Sequence, residues 1–273
     1  MQNEPMISVI MATFNEPRQF IDESISSILN QTYRNLELLI ADDSTNEETI
    51  KVIDGFASKD DRVIVIRKKE RMGFVNALNE ALHRAKGDYI ARMDGDDISL
   101  PNRFELQLRF AERHPGIDVF GGSMHIINEK GEITAHKKYP TEAKRLNRYF
   151  MFRNPLAHPT IMFRRKVVED GYYYDPEFKK AEDLELYLRL TNNNFKIGNL
   201  DEFLLKYRVL GGFSGKRAKD NWKYNHMARK KNFSLKRPLF SVCSYSISLL
   251  YKHLPSAFVN YMYKRENSEK SKR

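Results

Sequence analysis

Residues 89–101 read YIARMDGDDISLP, an apolar run that ends in three aspartates within four positions and then a proline. Asp94, Asp96 and Asp97 repel one another, so clustering them is costly unless water or a cation compensates. Oxygen-only ligation of this kind suits Mg2+ or Mn2+, usually shared with a substrate diphosphate. Two other apolar runs end in polar groups as well. Thr13, Phe14, Asn15 and Glu16 close the first, and Asp42 and Asp43 close the second. Any one of these could be an ordinary turn, because Asp and Asn favour turns. Three together, delivered to one rim, point to a site. The Phe14 ring could stack on a nucleobase and Asp43 could accept its imide N–H, which completes a nucleotide-diphosphate site.

Other ligand loops fail on spacing. Asp94, Asp96 and Glu105 match three positions of a calcium loop, but Ser99 stands where glycine is required and Pro101 interrupts it. GGFSGKR (211–217) lacks the phosphate-loop spacing and has Arg217 in place of the metal-binding hydroxyl. No GxGxxG occurs, so dinucleotide chemistry has no support.

The elements that must carry these groups alternate. MISVIMATF (6–14), LELLIADD (36–43), RVIVIRK (62–68) and DYIARMD (88–94) read as buried strands. Between them lie helices with Ile21, Ile25, Ile28 and Leu29 on one face, then one opened by Ser44–Thr45 with Glu47–Glu48, then one through Val75, Leu78 and Leu82. Pro101 begins a fourth helix. The order predicts an α/β fold with a doubly wound, mostly parallel sheet, and ligands beyond the carboxyl ends of its strands. Later segments predict a small antiparallel part: a hairpin over 124–140, a strand at 158–165, a helix at 181–194 and a strand at 201–209.

The net charge of +10 suggests nucleic acid until it is located. Of 46 Lys/Arg and 36 Asp/Glu, residues 216–273 hold 15 and 3, which leaves 31 and 33 for the first 215. The near-neutral body needs no polyanion, and no nucleic-acid partner is expected. A single cysteine, Cys243, excludes an internal disulfide and suits a reducing, cytoplasmic setting. The N-terminus lacks the basic region of a signal peptide. Two units are expected, 1–215 and a basic, aromatic-rich helical tail at 216–273. The charge-free stretch 238–251 is too short to span a bilayer. The tail is expected to lie on an anionic membrane surface, placing the protein peripherally on the inner face of the cell membrane.

Four segments, in order, resemble family 2 glycosyltransferases of the GT-A fold: SVIMATFNE (8–16), QTYRNLELLIADDS (31–44), GFVNALNEALHRAKGDYIARMDGDD (73–97) and AEDLELYLRL (181–190). The resemblance spans residues 6 to about 214. It implies an inverting enzyme that moves one sugar from a UDP-sugar to a hydroxyl of a glycan acceptor, with Mn2+ or Mg2+. It places Phe14 against uracil, Asp43 on its N3–H, Asp94 on ribose or metal-bound water, Asp96 on the metal and Asp183 as general base. Thr13, Glu16, Glu182 and Arg208 complete the implied binding set, Asp94 and Asp96 being the metal pair. Asp183 is expected to be kept ionised by its helix dipole, with Glu182 its nearest rival. His158 and the pair Arg164–Arg165 read as a satisfied histidine and as surface charges. The sequence departs from processive members in lacking their QxxRW signature, and Arg71 stands where many relatives carry a smaller polar residue. A lipid-linked acceptor, as in O-antigen, capsule or exopolysaccharide assembly, would explain a membrane-bound tail. Two rivals remain at this point. A sugar nucleotidyltransferase would want a basic glycine-rich loop where ATFNEPRQF stands, and a carbohydrate- or RNA-binding module would want a basic body.

Overall fold

The computed structural model describes residues 4–210 and 215–253, in backbone only at 215–220 and 251–253. Strands β1 (Ile7–Thr13) and β2 (Leu36–Asp42) are buried along their whole length. Such runs need a sheet covered on both faces, and each large apolar side chain contributes about 1.5–3 kcal/mol on leaving water. β3 (Val63–Ile66) and β4 (Tyr89–Asp94) flank them, all parallel, in the order β3-β2-β1-β4. Helices α1 (Arg18–Leu29), α2 (Glu47–Ala57) and α3 (Phe74–Arg84) are the crossovers. The strand order reverses between β1 and β4, which opens a crevice beyond their carboxyl ends. Thr13–Glu16 and Asp94–Asp97 stand there.

Some boundaries differ from the sequence expectation. Asn46 rather than Ser44 or Thr45 caps α2, accepting the Thr49 amide at 2.8 Å. The fourth helix, α4 (Arg103–Arg113), starts two residues after Pro101, because β5 (Ile98–Ser99) and a turn precede it. The strand expected over 158–165 is only β8 (Met162–Arg164). His158–Thr160 is a 3-10 turn, since Pro159 has no amide to donate and Thr160 Oγ1 is bonded to Ala157 O at 2.8 Å.

The hairpin expected over 124–140 forms from β6 (Val119–Ile127) and β7 (Ile133–Lys137), turning at Gly131 with φ 80°. Then come α5 (Ala143–Phe152), α6 (Lys166–Glu169), α7 (Glu182–Asn192) and β9 (Ile197–Arg208). The sheet continues β4-β8-β6-β9-β5, with β8 antiparallel to both neighbours and β9 parallel to β6. Gly122 allows that last pairing: a Cβ there would lie 2.7 Å from Leu204 Cδ1.

Two apolar clusters fill the faces of the sheet, one with α3 and α7, the other with α1 and α4. The chain then forms α8 (Gly215–Lys231) and α9 (Pro238–His253). Both pack on the body: Ala228 joins the α7 core, and Arg229 donates to Phe150 O at 3.2 Å. The described part of the tail is therefore docked on the first 215 residues through α5 and α7. Arg164 and Arg165 are not solvated surface charges. Arg164 donates to Ile117 O and Ala111 O, and Arg165 to Gly87 O and Ala85 O, bracing loop carbonyls.

Candidate active site

At the end of β1 the chain turns through Asn15, whose φ of 58° suits asparagine. The Asn15 side chain accepts the Thr45 and Asn46 amides at 2.8 and 3.0 Å, tying this turn to the one after β2. Glu16 folds back and accepts the Phe14 amide at 2.8 Å. Thr13 is buried and donates to Asp42, which Arg67 also holds, so its hydroxyl braces the strand ends rather than facing a ligand. Phe14 is 42% exposed, and the Arg71 guanidinium lies 3.6 Å from its ring centroid. Arg71 thus has a partner the sequence did not reveal. Asp43 accepts the Met72 and Gly73 amides at 2.9 and 2.6 Å. Gly73, at φ 74°, supplies the turn that aims them. Each Asp43 oxygen keeps a second lone pair for an imide N–H.

Phe14, Asp43, Arg71, Phe74, Asp94 and Asp96 line a cavity of about 150 Å3 with Thr13 and Glu16. Its acidic wall is under electrostatic tension. The Asp94, Asp96 and Asp97 carboxylates lie within 4.8 Å of one another. Burial, reinforced by Asp94, raises Asp96 to about 6, and burial with both neighbours lifts Asp97 well above the carboxylate range. Burial raises Glu16 to about 7. Asp97 is fully buried, with Oδ1 on the Arg208 amide at 2.8 Å and Oδ2 buried without a hydrogen-bond partner. An oxygen-rich donor set with an orphaned carboxylate oxygen fits a hard divalent cation.

Two buried arginines shape this wall. Arg92 grips both oxygens of Asp94, so Asp94 is held in place before any ligand arrives. Arg208 was expected among the donor contacts, but it stands behind the loop. Its side chain is fully covered, donating to Asp96 O at 2.8 Å, Glu129 O at 3.0 Å and Glu23 Oε2 at 2.5 Å. Its work is to brace the aspartates from the far side.

A second cavity, about 490 Å3, adjoins the first at Phe74 and is lined by Asn154, Glu182, Asp183, Tyr207, Asn221 and Asn225 among others. Ala181, at φ 58°, turns the chain into α7 and brings Glu182 and Asp183 to its first turn. Burial raises Asp183, contrary to the expectation from the helix dipole alone. Its anion is nonetheless the better supported of the two. Asp183 accepts the Leu184 amide at 2.7 Å and the Asn154 side-chain amide, and Arg92 attracts it. Glu182 is pushed up to about 8 by burial and by the charge of Asp183. The two carboxyls titrate as a coupled pair, and the hydrogen bonds that Asp183 accepts favour its anion over that of Glu182. His158 sits behind them, buried and held well below its ordinary range by burial, hydrogen-bonded to Tyr174 at 2.7 Å. It is neutral, and it faces Tyr174 and Glu182 rather than the donor cavity.

The Glu182 assignment has a measurable sign. A carboxyl whose folded pKa is raised favours folding below its unfolded pKa near 4.5, and that contribution is lost as pH rises toward about 8. Glu182→Gln should therefore raise the melting temperature relative to the parent at pH 8, with the difference shrinking toward pH 5. Thermal melts across that range check this, and an unchanged difference at both ends would remove the protonated Glu182.

Asn154, Arg92, Asp97 and Phe74 were not singled out as site residues by sequence. Only Asp97 carried a signal, its place in the aspartate cluster.

The family model for glycosyl transferase family 2 matches residues 8–172. The chain is 39% identical over 208 residues to the Escherichia coli O-antigen biosynthesis glycosyltransferase WbnJ, covering 75% of this chain and 80% of that one. Among solved structures, the S. aureus TarS 1-349 complex with UDP-GlcNAc superposes with a TM-score of 0.64 at 21% identity, over 82% of this chain and 66% of that one. A second S. aureus TarS structure is matched over 39% of that chain, with a TM-score of 0.61. The mannosyltransferase PcManGT from Pyrobaculum calidifontis, with GDP-Man and Mn2+, superposes with a TM-score of 0.65 at 14% identity, covering 97% and 81%. These superpositions give the GT-A fold.

Proposed function

The chain belongs to glycosyl transferase family 2 and is a nucleotide-sugar-dependent glycosyltransferase; from that premise we propose that it transfers one sugar, with inversion, from a UDP-sugar to a hydroxyl of a lipid-linked glycan. The setting is polysaccharide assembly at the inner face of the cell membrane. The observation that carries this reading is that two cavities share Phe74 in their walls, one lined by Phe14, Asp43, Asp94 and Asp96, the other by Glu182 and Asp183.

The smaller cavity takes the donor. Phe14 offers its face to the base once Arg71 moves aside, and Asp43 accepts the imide N–H. Asp94, Asp96 and Asp97 would hold Mn2+ or Mg2+, which when bound acts as a Lewis acid toward a leaving diphosphate. The larger cavity takes the acceptor. There Asp183 removes the proton from the attacking hydroxyl, and Asn154 fixes the carboxylate that receives it. Glu182 keeps its proton and adds no second negative charge beside the nucleophile. The TarS complex supports a UDP donor and WbnJ supports polysaccharide assembly, whereas PcManGT holds a GDP-sugar. Donor choice is tested by incubating the full chain with UDP- and GDP-sugars and Mn2+ and measuring released nucleotide. UDP release should exceed GDP release by about tenfold or more, the equivalent of ~1.4 kcal/mol of discrimination. Preference for GDP-sugars would overturn the donor assignment.

A further inference from the structure

Helix α9 is amphipathic in the reverse sense. At 100° per residue, Leu239, Val242, Cys243 and Leu250 fall on one side, and Ser241, Ser244 and Ser248 on the other. Those three serines face inward, whereas Ser246 is exposed among the apolar side chains. Ser244 takes a hydrogen bond from the buried Arg229, Ser248 pairs with His226 Nδ1 at 2.9 Å, and Ser241 donates to Ser234 O at 3.0 Å. The apolar side faces out, with Leu239 82%, Val242 52% and Leu250 66% exposed, and Leu235 just before the helix 83% exposed. The inward contacts are specific polar bonds to α8 and the turn after it, so the orientation of α9 is fixed by its packing. A row of leucines left in water calls for something to cover it.

We infer that this outward face of α9, with Leu235, is a docking surface for an anionic lipid bilayer, and that it sets the acceptor cavity beside the membrane. Charge selects the occupant. Residues 221–253 hold no Asp or Glu, and although Arg229 is buried and Lys231 is paired with Asp175 and Glu177, Lys223, Lys230 and Lys236 are exposed. Lys236 is exposed next to Leu235 in the chain, and α5, which packs against α9, exposes Lys144 and Arg148. A second copy docking by the same patch would bring these like charges together, whereas anionic headgroups complement them. Sixteen residues of helix reach ~24 Å, short of the ~30 Å hydrocarbon core, so α9 lies in the interface and does not cross it. Among the described residues no helix is long and apolar enough to cross.

The same helices reach the reaction. Asn221 and Asn225 of α8 line the acceptor cavity, and α8 is clamped to α9 by Arg229 and His226. A bilayer under α9 therefore lies next to the helix that walls the acceptor. This narrows the lipid-linked acceptor of the proposed function to a headgroup presented at the bilayer surface. It rests on that reading for the acceptor alone.

The test floats the full chain on phosphatidylglycerol-containing vesicles and on pure phosphatidylcholine, at low and high salt. The parent is compared with a Leu239→Ser, Val242→Ser, Leu250→Ser triple variant. These side chains face outward, so the variant should fold, and nucleotide release from the donor should be unchanged. The parent should partition onto the anionic vesicles at low salt, and the variant at least about tenfold less. Failure of the parent to bind, or equal binding by the variant, overturns the inference. So does a lipid-free parent dimer that the variant converts to monomer in analytical ultracentrifugation, which would give the face to a second copy. Loss of nucleotide release by parent and variant alike would instead count against the donor assignment and leave the docking result standing.

Discussion

Asp183→Asn should lower turnover by roughly a hundredfold or more while leaving affinity for UDP unchanged, the scale expected for loss of a general base. The substitution is nearly isosteric. The Leu184 amide can still donate to the new side-chain oxygen, and Asn154, whose own Oδ1 is buried without a partner, can flip its amide to accept from the new NH2, so position is kept and only the proton acceptor is lost. Glu182→Gln is the matched control. Because burial and the charge of Asp183 push Glu182 up to about 8, the amide resembles its favoured protonated form and should retain most of the turnover. Steady-state rates with saturating donor, together with calorimetric UDP titrations, separate the two. A Glu182→Gln variant without transfer beside an active Asp183→Asn variant would move the base by one residue.

The choice between these neighbours shows where the sequence stops informing. AEDLELYLRL marks a helix start with acids in its first turn, and its apolar spacing is local, so the helix was legible. Which acid keeps the proton depends on Asn154, Arg92 and the burial of both, which come together only in the fold. The first four strands were legible for the same local reason: each is a continuous apolar run, and their order alone puts the aspartates and Phe14 on one rim. The arginines were not. Arg208 carries no pattern in KYRV, yet it reaches Glu23, Asp96 and Glu129, residues far from it in the chain. Likewise α5 passed unnoticed, because AKRLNRYFMF buries only Leu146 and Phe150 and shows a thin apolar stripe. The tail was read from its totals as a basic, apolar segment. Only the fold reveals that Ser241, Ser244 and Ser248 are inward groups and Leu239 and Leu250 outward ones.

Asp96→Asn should abolish most metal-dependent transfer, about a hundredfold or more, without weakening the fold. Asp94, Asp96 and Asp97 lie within 4.8 Å of one another, and both Asp96 and Asp97 are raised by burial and by their neighbours' charge. Removing one charge relieves that repulsion, so the metal-free variant should melt no lower than the parent. A cation bound only by the native state stabilises it by RT ln(1 + [L]/Kd), about 2.7 kcal/mol at a hundredfold excess over Kd. The parent should therefore gain several degrees of melting temperature with Mn2+, and the variant should gain little. This reads the site without relying on turnover. Arg208 strengthens the expectation. It holds the Asp96 carbonyl and, through its own amide, Asp97 Oδ1, so the loop keeps its shape when the Asp96 charge is gone. Loss of activity then reports the missing ligand rather than a collapsed loop. Undiminished transfer in excess EDTA, or an equal Mn2+ shift in the variant, would take the cation away from these aspartates. Their crowding would then have to be relieved by protons, with Glu16 and Asp97 neutral and the leaving diphosphate stabilised by side chains alone.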